Sequence, residues 1–371
     1  MKVLNIIEES RLGGPQLRII KVADFLFHNY DITTHILSPK RFSSDFLSLS
    51  SSFGIPHSTI NLNSISRSPF LLFLFFVSFP FDLLKMLFFI KKNKFSLIHI
   101  SGGSWQWKGA ICSIILRKKF IWHLNDTYMP KIILYIFKAL SLKSSGFIFA
   151  GNSVLNFYKD YLPKLDDIPH AIIPAPINNF APIQYKNTAK HPLRVGMLCN
   201  INKTKRVDRF VDAAYLLYKS FPHNFTFHVM GSISDNDYYS SLLKKVNCFG
   251  QCFTFHDFNS DVTDYLSNLD IFVCASDFEA SPTSVWEAMY FGIPIVSTPV
   301  GDVEYHFSRS NSGLISEYSA SSISDSILYL SRKPNLCKSF SRQSHVYSSF
   351  FSISSVSQQH LKLYSDVFNH V

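Results

Sequence analysis

Short apolar runs alternate with stretches of helical spacing along nearly the whole chain. Val3 to Ile7 reads as a strand, and a turn at Gly13, Gly14 and Pro15 follows it. Ile19, Ile20, Val22, Ala23, Phe25 and Leu26 then recur at helical spacing. Further strands are predicted at Ile32 to Leu37, Ser96 to Ile100, Phe120 to Leu124 and Gly146 to Phe149, separated by stretches long enough for helices. The texture changes between Asp166 and Pro192, where Pro169, Pro174, Pro176, Pro182 and Pro192 accompany the polar run Gln184 to Lys190. That composition marks a linker. A second series follows: strands at Leu193 to Leu198, Phe225 to Met230, Cys252 to His256, Ile271 to Cys274 and Ile293 to Ser297, with a helix over Val207 to Tyr218. Val356, Leu361, Tyr364, Val367 and Phe368 predict a closing helix over Ile353 to Phe368. Strand and helix alternating in both halves predict an α/β protein with two Rossmann-like, doubly wound parallel sheets. The expected division is 1–184 and 185–350, with 351–371 as the closing helix.

Composition adds bulk and direction to this picture. With 371 residues, 47% hydrophobic, 17% charged and 36 Phe against 14 Gly, the chain can bury two large cores. The formal charge of +10 is one-sided: residues 1–185 carry 20 Lys and Arg against 10 Asp and Glu, and residues 186–371 carry 16 of each. Such a field favours anionic partners, with a solvated basic face as the plain alternative. No repeated Arg and aromatic pattern, helix-turn-helix or zinc-finger spacing points to nucleic acid. The six cysteines are scattered singly, as expected of free thiols in a reducing compartment. Cys248, Cys252 and His256 lack a fourth ligand at finger spacing, so no metal site is expected. The opening MKVLNIIEES has too short an apolar core for a signal peptide, and a cytoplasmic protein is expected.

One segment changes that expectation. Phe70 to Ile90, FLLFLFFVSFPFDLLKMLFFI, is long enough to cross a bilayer and is followed at once by Lys91, Lys92 and Lys94. Pro80, Asp82 and Lys85 interrupt it, and a charge near mid-span costs several kcal/mol. Two readings remain: a buried core helix, or a helix lying in the membrane interface beside its lysines.

The stretch that carries chemistry is Asp270 to Glu304, DIFVCASDFEASPTSVWEAMYFGIPIVSTPVGDVE. It predicts a buried strand, a turn holding Glu279, Ala280, Ser281, Pro282, Thr283 and Ser284, and a helix starting near Val285 with Glu287 in its first turn. A helix N-terminus preceded by small hydroxyl residues binds anions, because unpaired N–H groups and the positive end of the dipole face the ligand. A diphosphate fits there, and the carboxylates of Glu287 and Glu279 can accept hydrogen bonds from sugar hydroxyls. A plainer reading is that Ser284 and Glu287 form a capping box.

Glu279, Glu287, Ala288, Met289, Gly292 and Pro294 stand at the positions of a known signature: Glu, seven residues, Glu, Ala, Met, a short gap, Gly, x, Pro. The stretch resembles retaining GT-B glycosyltransferases of the large family 4. Gly13 and Gly14, Asn152 and Ser153, IIPAPINNFAP, SNLDIFVCAS and the terminal FSISSVSQQHLKLYSDVF agree with it along nearly the whole chain. The resemblance implies two Rossmann-like domains facing across a cleft, with the last helix returning to the first domain. It places Glu279 by the donor sugar, Ala280 to Ser284 along the sugar and diphosphate, Glu287 at the ribose and Gly14 at the diphosphate. In GMLCNINKTKRVD it puts Lys205 at the family's lysine position, with Lys203 or Arg206 assisting, while Met197 replaces the usual arginine. Where family members carry His before Asp at a strand end, FIWHLNDT has Asn125 before Asp126, with His123 two positions earlier on the same face. Either could approach the reacting sugar.

The implied activity is transfer of a sugar from a nucleotide diphosphate sugar with retention at the anomeric carbon. In this fold class a metal ion is not usually required, no Asp-x-Asp pair is expected in a strand-end loop, and no cofactor is expected. The basic first half and the Phe70 to Lys94 segment suggest an acceptor displayed at an anionic membrane surface, such as a lipid-linked sugar diphosphate. A bacterial surface polysaccharide pathway would suit such an enzyme, held on the inner face of the membrane. Two alternatives share the nucleotide site: a GT-B-fold sugar-nucleotide epimerase, and a catalytically silent nucleotide-binding subunit, which the Asn125 and Met197 departures allow.

Overall fold

The computed structural model of the protein describes residues 1–63, 69–127, 129–178, 180, 192–259 and 261–369. The chain divides into two compact units: Met1–Pro176 with Ile353–Val371, and Ile177–Ser352. The boundary expected at residue 184 lies outside the described residues, as do Pro182 and the run Gln184 to Lys190.

The first unit runs β1 (Lys2–Ile6), α1 (Gly14–Tyr30), β2 (Thr33–Pro39), α2 (Ser44–Ser52), β3 (His57–Ile60), α3 (Pro69–Asn93), β4 (Leu97–Ser101), α4 (Trp107–Ile115), β5 (Phe120–Leu124), α5 (Lys131–Ser141), β6 (Gly146–Phe149), α6 (Asn152–Tyr158) and β7 (His170–Ile172). Its strands form one parallel sheet of seven in the order β3-β2-β1-β4-β5-β6-β7. The central strands β4, β5 and β6 are buried throughout, which is why they read as predominantly apolar runs, with His99, Ser101 and His123 buried among them. The edge strands β3 and β7 are partly exposed and short, and the second lies within the proline-rich stretch whose composition marks a linker. Pro169 just precedes that edge, where a missing N–H is tolerated.

The second unit runs β8 (Leu193–Leu198), α7 (Val207–Ser220), β9 (Phe225–Met230), α8 (Asn236–Val246), β10 (Phe253–His256), α9 (Thr263–Ser267), β11 (Ile271–Cys274), α10 (Thr283–Tyr290), β12 (Ile295–Ser297), α11 (Val303–Ser310), β13 (Gly313–Ile315), α12 (Ala320–Ser331) and α13 (Pro334–Ser348). Six parallel strands form a sheet in the order β10-β9-β8-β11-β12-β13. Its faces bury separate cores, one around Val195, Phe210, Phe227 and Ile327, the other around Phe272, Trp286, Met289 and Val303. The closing helix α14 (Ile353–Asn369) belongs to the first unit and packs on α1 and β7.

Both orders reverse direction at one place, between β1 and β4 and between β8 and β11. At such a switch point the connections leave on opposite sides, and the loops after the two strands open a crevice for ligands.

Candidate functional site

In the second unit the switch point is framed by the loop after β8 and the loop after β11. Asn202 shapes the first: its side-chain oxygen accepts from the amides of Thr204 and Lys205 at 3.1 and 3.2 Å. The turn ends at Arg206 in the left-handed conformation (φ 51°), a setting that favours glycine. Arg206 is held there by Asp208 (Nε to Oδ1, 3.1 Å) and Asp277 (Nη1 to Oδ2, 3.0 Å). The buried Arg209 donates to the Ala275 carbonyl and to Asp277 Oδ1, each at 2.6 Å, and the Asp277 amide donates to Thr204 O at 2.9 Å. One carboxylate and two guanidiniums thus clamp the two loops together. The paired arginines hold the Asp277 carboxyl below its usual range despite its partial burial.

The clamp brings Lys205 onto Glu279. The Lys205 ammonium donates to Glu279 Oε1, and Ser276 Oγ donates to the same oxygen at 2.9 Å. Burial works against the charge on Lys205, but the Glu279 charge and hydrogen bond outweigh it and raise the lysine's pKa. The pair keeps some exposure, 23% for Lys205 and 14% for Glu279, so an incoming polar ligand can reach it. Gly301 supports the turn from below. Its φ is +54°, and a Cβ there would lie 2.8 Å from Ala280 O and 3.0 Å from Glu279 O.

The helix beyond the turn starts earlier than its sequence pattern predicts. Pro282 is the N-cap (φ −73°) and α10 begins at Thr283, because the ring fixes the backbone at a value suited to helix entry. Ser284 is therefore inside the helix and Glu287 falls in its second turn, so the capping box is not formed. Among the described residues no side chain caps the end. The Thr283 and Ser284 amides have no hydrogen-bond partner among the described residues, which leaves two donors at the positive end of the helix. Ser281 Oγ accepts from Trp286 Nε1 at 3.0 Å, and Trp286 stacks on Phe351 with centroids 4.2 Å apart. Glu287 is 8% exposed and accepts from Asn178 Nδ2 at 3.3 Å. Ala280 and Ser281 are half-buried in the turn, and Lys203 is exposed two residues before Lys205. Met197 sits in the core, 1% exposed. An Asp-x-Asp triplet, Asp235 to Asp237, does follow a strand end, at β9; there Asp235 Oδ1 accepts from the Tyr238 amide at 2.9 Å and caps α8.

In the first unit, Gly13 and Gly14 end the loop after β1. A Cβ on Gly14 would meet nothing within 4 Å, so this glycine answers to no crowding within the described structure. His123, on β5, is fully buried. Arg18 Nη1 lies 2.7 Å from its Nε2, His99 Nε2 lies 3.2 Å from its Nδ1, and Tyr364 Oη lies 2.7 Å from His99 Nδ1. A guanidinium only donates, so His123 accepts at Nε2 and carries its proton on Nδ1; His99 in turn carries its own on Nδ1 and donates to Tyr364. Burial, the Arg18 charge and the neighbouring histidines hold His123 neutral, well below its ordinary pKa. Both ring nitrogens are committed inside the unit. Asn125 is half-buried and makes no side-chain hydrogen bond among the described residues. Beside it, Asp126 accepts from the Tyr158 hydroxyl, and burial raises its carboxyl to about 6.

Arg209, Asp277 and Ser276 carry no local sequence signal, and Arg206, expected to assist Lys205, is instead engaged by Asp208 and Asp277.

Residues 183–345 match the model of a family described as Glycosyl transferases group 1. No curated protein matches the chain by sequence. Among solved structures, Alr3699/HepE from Anabaena in complex with UDP superposes with a TM-score of 0.80 at 16% identity, over 99% of this chain and 100% of that one. A sucrose-phosphate synthase from Thermosynechococcus elongatus gives 0.78 at 16% identity over 100% of both chains. A glycosyltransferase from Rickettsia africae gives 0.79 at 17% identity, over 100% of this chain and 99% of that one. These likenesses establish the fold: two Rossmann-like α/β units of the GT-B type.

Proposed function

We propose that the chain is a group 1 glycosyltransferase of the retaining, metal-independent kind, taking its sugar from a nucleotide diphosphate sugar. The observation that carries this reading is the uncapped N-terminus of α10, with its two unpartnered amides beside the Lys205–Glu279 pair, at the switch point of the unit that matches the family model. Departure of a nucleoside diphosphate builds negative charge on the phosphate oxygens. Fixed amides and Lys205, assisted by Lys203, stabilise that charge without reorganising. Glu279, freed from Lys205 by the phosphate, accepts from the donor sugar's hydroxyls, and Glu287 accepts from the ribose. Ala280 to Ser284 line the sugar and diphosphate. Retention follows from the family signature, by attack from the face the diphosphate leaves. Gly13, Gly14, His123 and Asn125 are assigned to the reaction by the same resemblance; His123 has both ring nitrogens engaged by Arg18 and His99, and Asn125 makes no side-chain hydrogen bond among the described residues. Neighbours solved with UDP and with UDP-glucose favour a uridine donor. The proposed acceptor is a glycan or lipid-linked sugar diphosphate at the cytoplasmic face of the membrane, in the assembly of a surface polysaccharide.

The test is thermal stabilisation by UDP and GDP, with a donor screen on the one that binds. A stabilising nucleotide whose effect is lost in Lys205→Ala supports the site. Stabilisation by neither nucleotide, or stabilisation indifferent to Lys205, overturns it. Incubation with the donor alone separates the epimerase, which would isomerise the sugar, from the transferase, which would hydrolyse it slowly.

A further inference from the structure

Helix α3 is amphipathic the wrong way round for a helix in water. Its stretch Leu72–Asn93 is long and apolar enough to cross a membrane by length and composition. On one face, Phe75, Asp82, Met86 and Ile90 are at most 1% exposed. On the other, Phe70, Phe73, Phe76, Val77, Phe81, Leu84 and Phe88 are each more than half exposed. Apart from the adjacent Phe76 and Val77, the exposed residues recur at spacings of three and four, which draws a single stripe about 27 Å long. The helix thus hides its carboxylate and shows five of its eight phenylalanines, with Lys85 exposed beside them and donating to Asn61 O at 3.2 Å. The same layer of the unit exposes Ile115 of α4 and Ile132 and Tyr135 of α5, at 57, 70 and 67%. An exposed apolar stripe of this length marks a surface that is covered in use.

What holds the helix down is a buried ion cluster. Lys108 of α4, with no exposed side-chain surface, lies 3.1 Å from Asp82 Oδ2 and 3.6 Å from Glu8 Oε2, and its ammonium sits 4.6 Å from the Phe75 ring centroid. Lifting α3 off the unit to thread it through a bilayer would strand these charges, and breaking a buried pair is strongly destabilising. The helix stays on the fold, and the same cluster ties it to the loop after β1, where Glu8 resides.

The charge beside the stripe indicates the covering partner. Lys91 and Lys92 form the last turn of α3 and Lys94 follows, all three exposed, in a half of the chain with twice as many basic as acidic residues. We propose that α3 is an in-plane membrane anchor, its Phe70–Phe88 stripe sunk into the acyl boundary of an anionic bilayer and Lys91, Lys92 and Lys94 at its phosphate headgroups. This deepens the proposed action at a membrane but is independent of the donor site.

The experiment is flotation of the full chain with phosphatidylcholine vesicles, with and without phosphatidylglycerol. The wild type floats with the anionic vesicles, and added salt weakens it. The triple variant Phe73→Ser, Phe81→Ser, Phe88→Ser binds at least about tenfold more weakly while keeping the wild-type shift with UDP. Single variants Phe73→Trp, Phe81→Trp and Phe88→Trp are quenched by brominated lipids to a common depth. Failure of the wild type to float, undiminished binding by the triple variant, or quenching depths graded from residue 73 to 88 would each overturn the proposal. So would a dimer that the triple variant dissolves without any vesicle binding, since the stripe would then belong to a second copy. Vesicle binding without any nucleotide response leaves this surface standing and removes the donor reading alone.

Discussion

At the residue scale, two glycines separate demands of the fold from demands of a ligand. Gly301 has a positive φ and no room for a Cβ against the Ala280 and Glu279 carbonyls. Gly301→Ala adds left-handed strain of about 1–2 kcal/mol and pushes the Glu279 turn, so both melting temperature and turnover should fall. Gly14 has open space where its Cβ would be, and alanine at a helix start costs nothing in the folded chain. Gly14→Ala should leave the melting temperature within about 2 °C of wild type and weaken nucleotide-sugar binding. An unchanged Michaelis constant with UDP-glucose would show that no ligand approaches there. Glu279→Ala belongs beside them. The residue is a partly exposed turn carboxylate with one lysine and one serine partner, so turnover should fall about a hundredfold or more while stability falls by at most about 1–2 kcal/mol. Matched losses of activity and melting temperature would make it a structural residue.

At the scale of elements, legibility followed burial. The central strands declared themselves as apolar runs because both faces of a parallel sheet are covered. His57–Ile60, His170–Ile172 and Gly313–Ile315 did not, since each is a short edge strand that needs little apolar surface. The donor-site motif was visible because Glu279, Pro282 and Glu287 lie close together in sequence. The Arg206–Asp277–Arg209 clamp was not, because it joins loops about seventy residues apart and no local pattern encodes such a meeting. α10 starts two residues before its helical spacing predicts, because Pro282 fixes the backbone at the entry. Trp286 is what seats this helix, through its stack on Phe351 and its bond to Ser281. Trp286→Ala should cost about 3–5 kcal/mol and abolish nucleotide stabilisation in whatever fraction stays folded. A variant that melted lower yet bound UDP normally would show that the helix end is positioned by something else.

At the scale of the whole molecule, acid is the expected weak point, because buried neutral histidines occur in both units. Burial depresses His360 to about 4 in the first unit, and His228 and His306 to about 4 in the second; His99 and His123 are depressed as well. A histidine with a depressed folded pKa binds its proton more readily in the unfolded chain. Its stabilising contribution is therefore complete above about pH 6.5 and is lost progressively as the pH falls towards the folded value. For His360 alone the full window amounts to roughly 3 kcal/mol. Two carboxyls act in the opposite sense: burial raises Asp126 to about 6 and also raises Glu8, so protonating them in the fold offsets part of the loss. Five histidines against two carboxyls leave acid the winner. The melting temperature should hold steady from pH 8 to about 7 and drop steadily from about 6.5 to 5. In His360→Gln the slope over that window should be shallower even where the variant is less stable at pH 7, because one proton-linked group has been removed. A slope identical to wild type would place His360's proton uptake outside the unfolding transition, and a flat wild-type profile would mean that these imidazoles are not held neutral by the fold at all.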